Sequence, residues 1–341
     1  MTTPLVSVVL PVYNGAKDVK QSIDSMLAQT FTDFEIIVIN DGSKDETAQV
    51  LNRISEPRIR ILHQDNLGLA NTLNRGISLS RGRYIARQDQ DDLSSPTRLE
   101  KQLAFMEANP ECALLGTRAE IWSGNTPSGR YHDHPTDDPS IRFELLFNNP
   151  FVHSSVILRK DAVLSAGGYT TDKTRQPPED YELWSRLSRR HMVANLPERL
   201  HIYREVYGSM SRTGPNPFLE KLVLICSENI ANTIGAREIS PEIVDIAALT
   251  HSAFQFLSPS PDLMKMLQIL LDAGQCIAKA STNSDVLKRL EERINVLHHQ
   301  YSGHINNLAD RSDKKRIHPF RQFLKKIKRV VWRYPDSEIG R

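Results

Sequence analysis

Several features are missing from this 341-residue chain, and each absence removes a class of protein. No apolar run reaches the length of a membrane span; the run from Leu5 to Val12 is too short and ends in turn residues. Met1 to Pro4 lacks the basic start of a secretory leader, so a cytoplasmic chain is expected. Cysteine is scarce: Cys112, Cys226 and Cys276 are far apart, in apolar surroundings and without metal-ligand spacing. That pattern excludes a disulfide scaffold and reads as three reduced packing residues. Charge of one sign is lacking too. With 43 Lys and Arg against 41 Asp and Glu, the net charge of +2 gives no reason to expect nucleic acid as a partner. The turn after the first apolar run has no Gly-x-Gly-x-x-Gly, and no Gly-x4-Gly-Lys-Ser/Thr occurs anywhere. Any phosphate must therefore be held without a glycine cradle.

What is present is an ordinary globular composition, 39% hydrophobic and 25% charged, in a chain long enough for two or three structural units. Val6 to Leu10 is a near-continuous apolar run of the kind that makes a buried parallel strand. A helix over residues 16–29 follows, with Val19, Ile23, Met26 and Leu27 on one face. Phe34 to Ile39 reads as a second strand, Asp45 as the cap of a helix through Arg53, and Ile59 to Leu62 as a third strand. Leu69 to Leu79 is a helix and Tyr84 to Gln88 another strand. Strands alternating with helices predict an α/β fold. Its sheet is doubly wound and mostly parallel, with helices on both faces and ligands at the carboxyl ends of the strands.

The fourth strand ends in Asp89, Asp91 and Asp92, three carboxylates within four residues. Side chains alternate along a strand, so Asp89 and Asp91 are expected on one side. Such a pair suits a hard divalent cation that shares its oxygens with a diphosphate. The alternative is a turn in which Asp92 caps the helix opened by Ser95-Pro96.

Five stretches carry a resemblance: Ser7 to Gly15, Glu35 to Ser43, Leu73 to Ile77, Tyr84 to Asp92 and Glu179 to Trp184. In this order they resemble the motifs of family 2 glycosyltransferases with the GT-A fold, over residues 1–214. The resemblance implies an inverting enzyme that moves a sugar from a nucleotide-diphosphate donor to an acceptor hydroxyl, using Mg²⁺ or Mn²⁺. Pro11, Tyr13 and Asn14 would flank the base, where an aromatic face can stack, and Asp41 would accept a hydrogen bond from a ring N–H. Uracil and thymine both offer that N–H, so UDP and dTDP stay open, with UDP favoured on the resemblance alone. Asp89 and Gln90 would lie at the ribose or the metal's water shell, and Asp91 would bind the ion. Asp180 would be the base, Glu179 would position the acceptor, and His153 and Asp92 would lie near the sugars.

Each residue has a plainer reading. Tyr13 could fill a groove, Asp41-Gly42-Ser43 could be a turn, Glu179-Asp180 an acidic helix start, and His153 a loop histidine bonded to backbone. The chain also departs from the family: Leu73 stands where arginine is frequent, and Val206 where many relatives have histidine.

Between these stretches, Cys112 to Ile121 reads as one or two strands, Asp138 to Phe147 as a helix and Val156 to Arg159 as a strand. Residues 122–139 read as a long surface loop in which His132 and His134 alone do not make a metal site. Beyond Pro217 helical periodicity runs through Phe218 to Thr233, Pro241 to Phe256, Pro261 to Ala278 and Ser284 to His299. The expected organisation is a catalytic domain over 1–214, a C-terminal helical appendage over 215–310 and a basic amphipathic tail over 311–341. From Lys314 to Arg333 there is no acid, and basic residues interleave with Ile317, Phe320, Phe323, Leu324, Ile327, Val330 and Val331. A helix of that kind suits an anionic membrane surface; the alternative is docking on an acidic protein patch.

The leading expectation is a metal-dependent glycosyltransferase at the inner face of the cell membrane. It would act on a glycan or lipid-linked acceptor in surface-polysaccharide synthesis. The second is a catalytically silent sugar-nucleotide-binding or scaffold protein of an assembly complex. Deleting the residues after Asp313 is expected to release the protein from anionic vesicles; co-sedimentation that survives the deletion would refute the membrane reading.

Overall fold

The computed structural model describes residues 3–205, 218–279 and 284–308. The Val206 to Ser211 stretch and the basic segment 314–333 lie outside the described residues. The chain divides into two compact units, one comprising Met1–Ile141 and Asn149–Pro217, the other Arg142–Asn148 and Phe218–Arg341.

The first unit opens with β1 (Val6–Val12), α1 (Val19–Leu27), β2 (Phe34–Asp41), α2 (Thr47–Asn52), β3 (Ile59–Gln64), α3 (Leu69–Leu79) and β4 (Tyr84–Arg87). The strands lie in the order β3-β2-β1-β4, all parallel. β1, β2 and β4 are buried along their whole length. Continuous apolar runs need that environment, because side chains on both faces must be covered. Val19, Ile23 and Met26 of α1 share a core with Val6, Val8, Leu10 and Val12 on one face. On the opposite face Gly76 of α3 lies against Val9 and Ile39. Helices therefore cover both faces, as the periodicity predicts.

The chain continues through β5 (Leu93–Ser94), α4 (Arg98–Ala108), β6 (Cys112–Ser123), β7 (Thr126–His132), α5 (Asp138–Glu144), β8 (Ile157–Arg159), α6 (Lys160–Ser165), α7 (Glu179–Ser188) and β9 (Met192–Glu205). These strands extend the sheet as β4-β8-β6-β9-β5, with β7 paired to β6. β8 runs antiparallel to β4 and β6, whereas β9 runs parallel to β6. Two expectations need correction here. The loop expected over 122–139 contains β7, which folds back on β6 as a hairpin. β9 has no counterpart in the sequence reading, because Pro197-Glu198 interrupts its pattern. The pairing register jumps there from Thr117↔Leu196 to Arg118↔Arg199, a bulge that lets one long strand carry a proline.

The second unit contains α8 (Leu219–Ile234), α9 (Pro241–Thr250), α10 (Leu263–Lys279) and α11 (Ser284–Leu308). α8 stops at Gly235, whose φ of 68° is the left-handed conformation a helix end favours, and α9 starts with proline in its first turn. Phe143 and Phe147 join Ile246, Leu270 and Leu290 in its core. No strand occurs among its described residues, and no helix among the described residues is long and apolar enough to cross a membrane. Cys112 and Cys226 are buried, but Cys276 is exposed, so only two of the three cysteines pack inside.

A methyl group at Gly76 would sit 2.4 Å from Val9 Cγ1. Gly76→Ala is expected to cost about 1–3 kcal/mol through overpacking of the α3–β1 contact. An unchanged denaturation midpoint would contradict that packing.

Candidate active site

The carboxyl ends of β1, β2 and β4 lie side by side, and the polar residues that follow them come together there. After β1 the main chain turns at Tyr13-Asn14-Gly15, and the Tyr13 ring is 47% exposed. Asn14 has φ 51°, a conformation asparagine tolerates better than most residues. It is held by Ser43 Oγ, which accepts from its N–H at 2.9 Å, and by the Lys44 N–H, which donates to its Oδ1 at 2.8 Å. Pro11 is buried within β1 itself. Asp41, at the end of β2, accepts from the main-chain N–H groups of Leu67 (2.8 Å) and Gly68 (3.0 Å) and from Gln64 Nε2 (2.6 Å). A carboxylate has about four acceptor sites, so one remains for a ligand. Leu67, 52% exposed, flanks this carboxylate through its own N–H contact.

β4 ends at Arg87, so Asp89 to Asp92 form a turn rather than the end of a strand. Period-two alternation does not govern them, and each carboxylate meets a different environment. Asp89 is paired at 2.6 Å with the buried guanidinium of Arg87. Gln90 turns its amide to the Tyr13 main chain, accepting from Tyr13 N at 2.8 Å and donating to Tyr13 O at 3.1 Å. Asp92 corrects its expected role as a helix cap. Only 1% exposed, its carboxylate accepts from Arg204 N–H at 2.8 Å and from Ser154 Oγ, and lies 3.1 Å from His201 Nε2. It does not cap α4, whose cap position is Thr97. Burial, with Asp89 nearby, pushes Asp92 up to about 7.

Asp91 is the exception. Among the described residues no other residue donates a hydrogen bond to its carboxylate; burial, then the charges of Asp89 and Asp92, push it up to about 8. A divalent cation fits here, because it would supply the counter-charge that the protein withholds. No group of three or more metal-ligating side chains exists among the described residues, so the ion's other ligands would be donor phosphate oxygens and water. His132 and His134 stack on each other, 5.4 Å between ring centres, without further ligands.

The N-terminus of α7 supplies the facing group. Asp180 Oδ2 accepts from Asn149 Nδ2 at 2.8 Å, Oδ1 accepts from Tyr181 N–H at 2.7 Å, and His153 Nδ1 lies 3.9 Å from Oδ2. His153 is enclosed by Tyr169, whose hydroxyl is 2.9 Å from Nε2, and by Trp184. Burial pushes His153 down to about 3, so its ring is neutral. Tyr169 is itself fastened to α3, because Asn74 Nδ2 donates to Tyr169 O and Asn74 Oδ1 accepts from Tyr169 N–H. Glu179 is 6% exposed and pushed up to about 7, first by burial and then by Asp180. The charges of Asp89 and Arg87 act on it as well. Asp89 thus lies within electrostatic reach of both Asp91 and Glu179.

Arg87, Asn149, Tyr169, Asn74, His201 and Arg204 belong to this site without having been singled out. Arg87 and Arg204 carried a signal, a basic residue beside carboxylates or at the end of an apolar strand; Asn149 and Tyr169 carried none. Leu73 is buried in α3, so the arginine expected there is replaced by a packing residue.

Residues 7–168 match the model of the glycosyl transferase family 2. An uncharacterised glycosyltransferase of Haemophilus influenzae is 35% identical over 257 residues, covering 72% of this chain and 79% of the relative. The chain belongs to glycosyl transferase family 2. The amylovoran biosynthesis glycosyltransferase AmsE of Erwinia amylovora is 36% identical to this glycosyltransferase over 200 residues, 57% of the chain and 74% of AmsE. Residues 1–349 of S. aureus TarS, solved with UDP-GlcNAc, superpose with a TM-score of 0.57 at 18% identity, over 89% of the glycosyltransferase and 88% of that chain. That likeness is one of fold, GT-A. Glu179 and Asp180 lie beyond the residues the family model matches.

Asp91 and Glu179 are protonated more readily in the folded glycosyltransferase than in the unfolded chain. Between the two pKa values the folded state holds more protons, so its stability falls as pH rises through that window. Without metal, the Tm of wild type relative to that of Asp91→Asn is expected to drop between about pH 5 and pH 8, a comparison in which the buried histidines, pushed down by burial, act equally on both proteins. Mn²⁺ should raise Tm most at the alkaline end, where proton and metal no longer compete. A metal-free Tm difference between wild type and Asp91→Asn that rises over this range would contradict the assignment.

Proposed function

We propose that this glycosyltransferase transfers a sugar, with inversion, from a UDP-sugar to a hydroxyl of a glycan or lipid-linked acceptor in surface-polysaccharide synthesis. The observation that carries the reading is Asp91, a carboxyl group beside the Arg87–Asp89 ion pair to which no other described residue donates a hydrogen bond. Such a carboxyl group suits a cation that accompanies a departing diphosphate, while Asp180, held by Asn149 Nδ2 and the Tyr181 N–H, suits the acceptance of a hydroxyl proton. UDP is favoured because TarS was solved with UDP-GlcNAc, and a polysaccharide product because AmsE acts in amylovoran biosynthesis.

In this reading Tyr13 stacks on the base and Asp41 accepts from its ring N–H through the acceptor site left free. Asp91 holds Mg²⁺ or Mn²⁺, which would neutralise charge developing on the departing diphosphate. Asp180 takes the proton of the acceptor hydroxyl as its oxygen bonds to the sugar's anomeric carbon. Asn149 and His153 address Oδ2, which leaves a lone pair of Oδ1 for that proton. Glu179 contacts the acceptor. Residues 1–214 act as the catalytic domain, and the tail over 311–341 holds the enzyme at the inner face of the membrane.

Asp180→Asn is expected to lower kcat by about 10²–10⁴-fold while UDP-sugar binding, followed by thermal shift with Mn²⁺, survives. Near wild-type turnover in that variant would remove Asp180 from its role, and a donor panel without any shift would remove the donor.

A further inference from the structure

Gln90 stands between the two aspartates of the acidic turn, yet its side chain reaches across to another loop. Its amide accepts from Tyr13 N at 2.8 Å and donates to Tyr13 O at 3.1 Å, as a neighbouring strand would. Room for it exists because residue 15 is glycine: a Cβ there would lie 2.6 Å from Gln90 Oε1. Each of the two loops is also anchored independently. The 13–16 loop is strapped to the β2–α2 connection, with Gly15 N donating to Thr47 Oγ1 at 2.8 Å and Ala16 N to Asp45 Oδ2 at 3.1 Å. The acidic turn is held by Ser22 Oγ, which donates to Asp89 O at 2.6 Å, and by Arg204 Nε, which donates to Asp91 O. Gln90 makes the side-chain link from one anchored loop to the other.

We infer that Gln90 is a positioning residue that sets the span between the exposed Tyr13 ring and the Asp91 carboxylate. It thereby fits the site to a ligand that must touch both at once, a nucleoside diphosphate. The inference rests on the donor reading above. A ligand that engages one end only does not use the span. Uridine, which has a base and no phosphate, is such a ligand; UDP with Mn²⁺ is not. Loss of the strut therefore weakens the spanning ligand selectively, because binding must then also pay the entropy of fixing two loops relative to each other.

The test is calorimetric titration of the full-length protein and its Gln90→Ala variant with UDP plus Mn²⁺ and, separately, with uridine. The expected result is an affinity for UDP with Mn²⁺ about tenfold lower in the variant, with uridine affinity within about twofold of wild type. In turnover the donor KM should rise while kcat and acceptor KM hold. Uridine affinity falling in step with UDP would overturn the inference, since it would make Gln90 a general support of the base loop. Unchanged UDP affinity would overturn it too. Failure of the wild-type protein to bind UDP at all would instead sink the donor reading, and this inference with it.

Discussion

Burying negative charge at the carboxyl end of β4 is the constraint on which the rest of the first unit depends. Asp89, Asp91 and Asp92 follow a strand whose residues are all inaccessible, and an unpaired carboxylate in such a place is costly. Buried arginines resolve most of the conflict. Arg87 pairs with Asp89. Arg98, fully buried, reaches Gln88 Oε1, Ser154 O and the His201 ring, and Arg204 brings its main-chain N–H to Asp92 and its guanidinium to Asp91 O. Removing one partner of such a network typically costs about 3–5 kcal/mol, because the other charge stays behind. Of the three, Asp91 alone accepts no hydrogen bond from another described residue, so the fold concentrates its unresolved charge on one carboxylate.

The network also explains why the second half of the sheet is built as it is. β9 runs alongside β6 as far as Glu205, which brings His201 and Arg204 to the acidic turn, and its bulge shifts the register at Pro197-Glu198 so that pairing resumes beyond the proline. β5, two residues long, pairs with β9 at Leu93↔Ile202 and ties the turn to the strand that stabilises it. Elsewhere in the unit, Asn74 of α3 grips the main chain of Tyr169, whose hydroxyl meets His153 beside Asp180. The acidic turn and the surroundings of Asp180 are thus each fixed by elements far apart in sequence.

Much of the first unit was legible in advance because its signals are local. Val6–Val12 and Phe34–Asp41 are apolar runs bounded by turn residues, and Leu69–Leu79 has the period of a helix packed on one face, so their types and nearly their limits follow from pattern. β7 and β9 were not legible. β7 is mostly exposed and polar, and a hairpin strand held by pairing alone carries no apolar alternation. At the site, Asp41 and Asp180 are singled out by the family resemblance, whereas the burial of Asp92 among Ser154, His201 and Arg204 could not be told from composition.

The sequence by itself determined the alternation of strands and helices, the carboxylate cluster at a strand end and the helical second unit, because periodicity and turn chemistry act over a few residues. Only the tertiary structure decided which aspartate is left free. That outcome depends on Arg87, Arg98, His201 and Arg204 arriving from three separate elements, and a buried carboxylate's state is set by whatever charges and donors surround it in space.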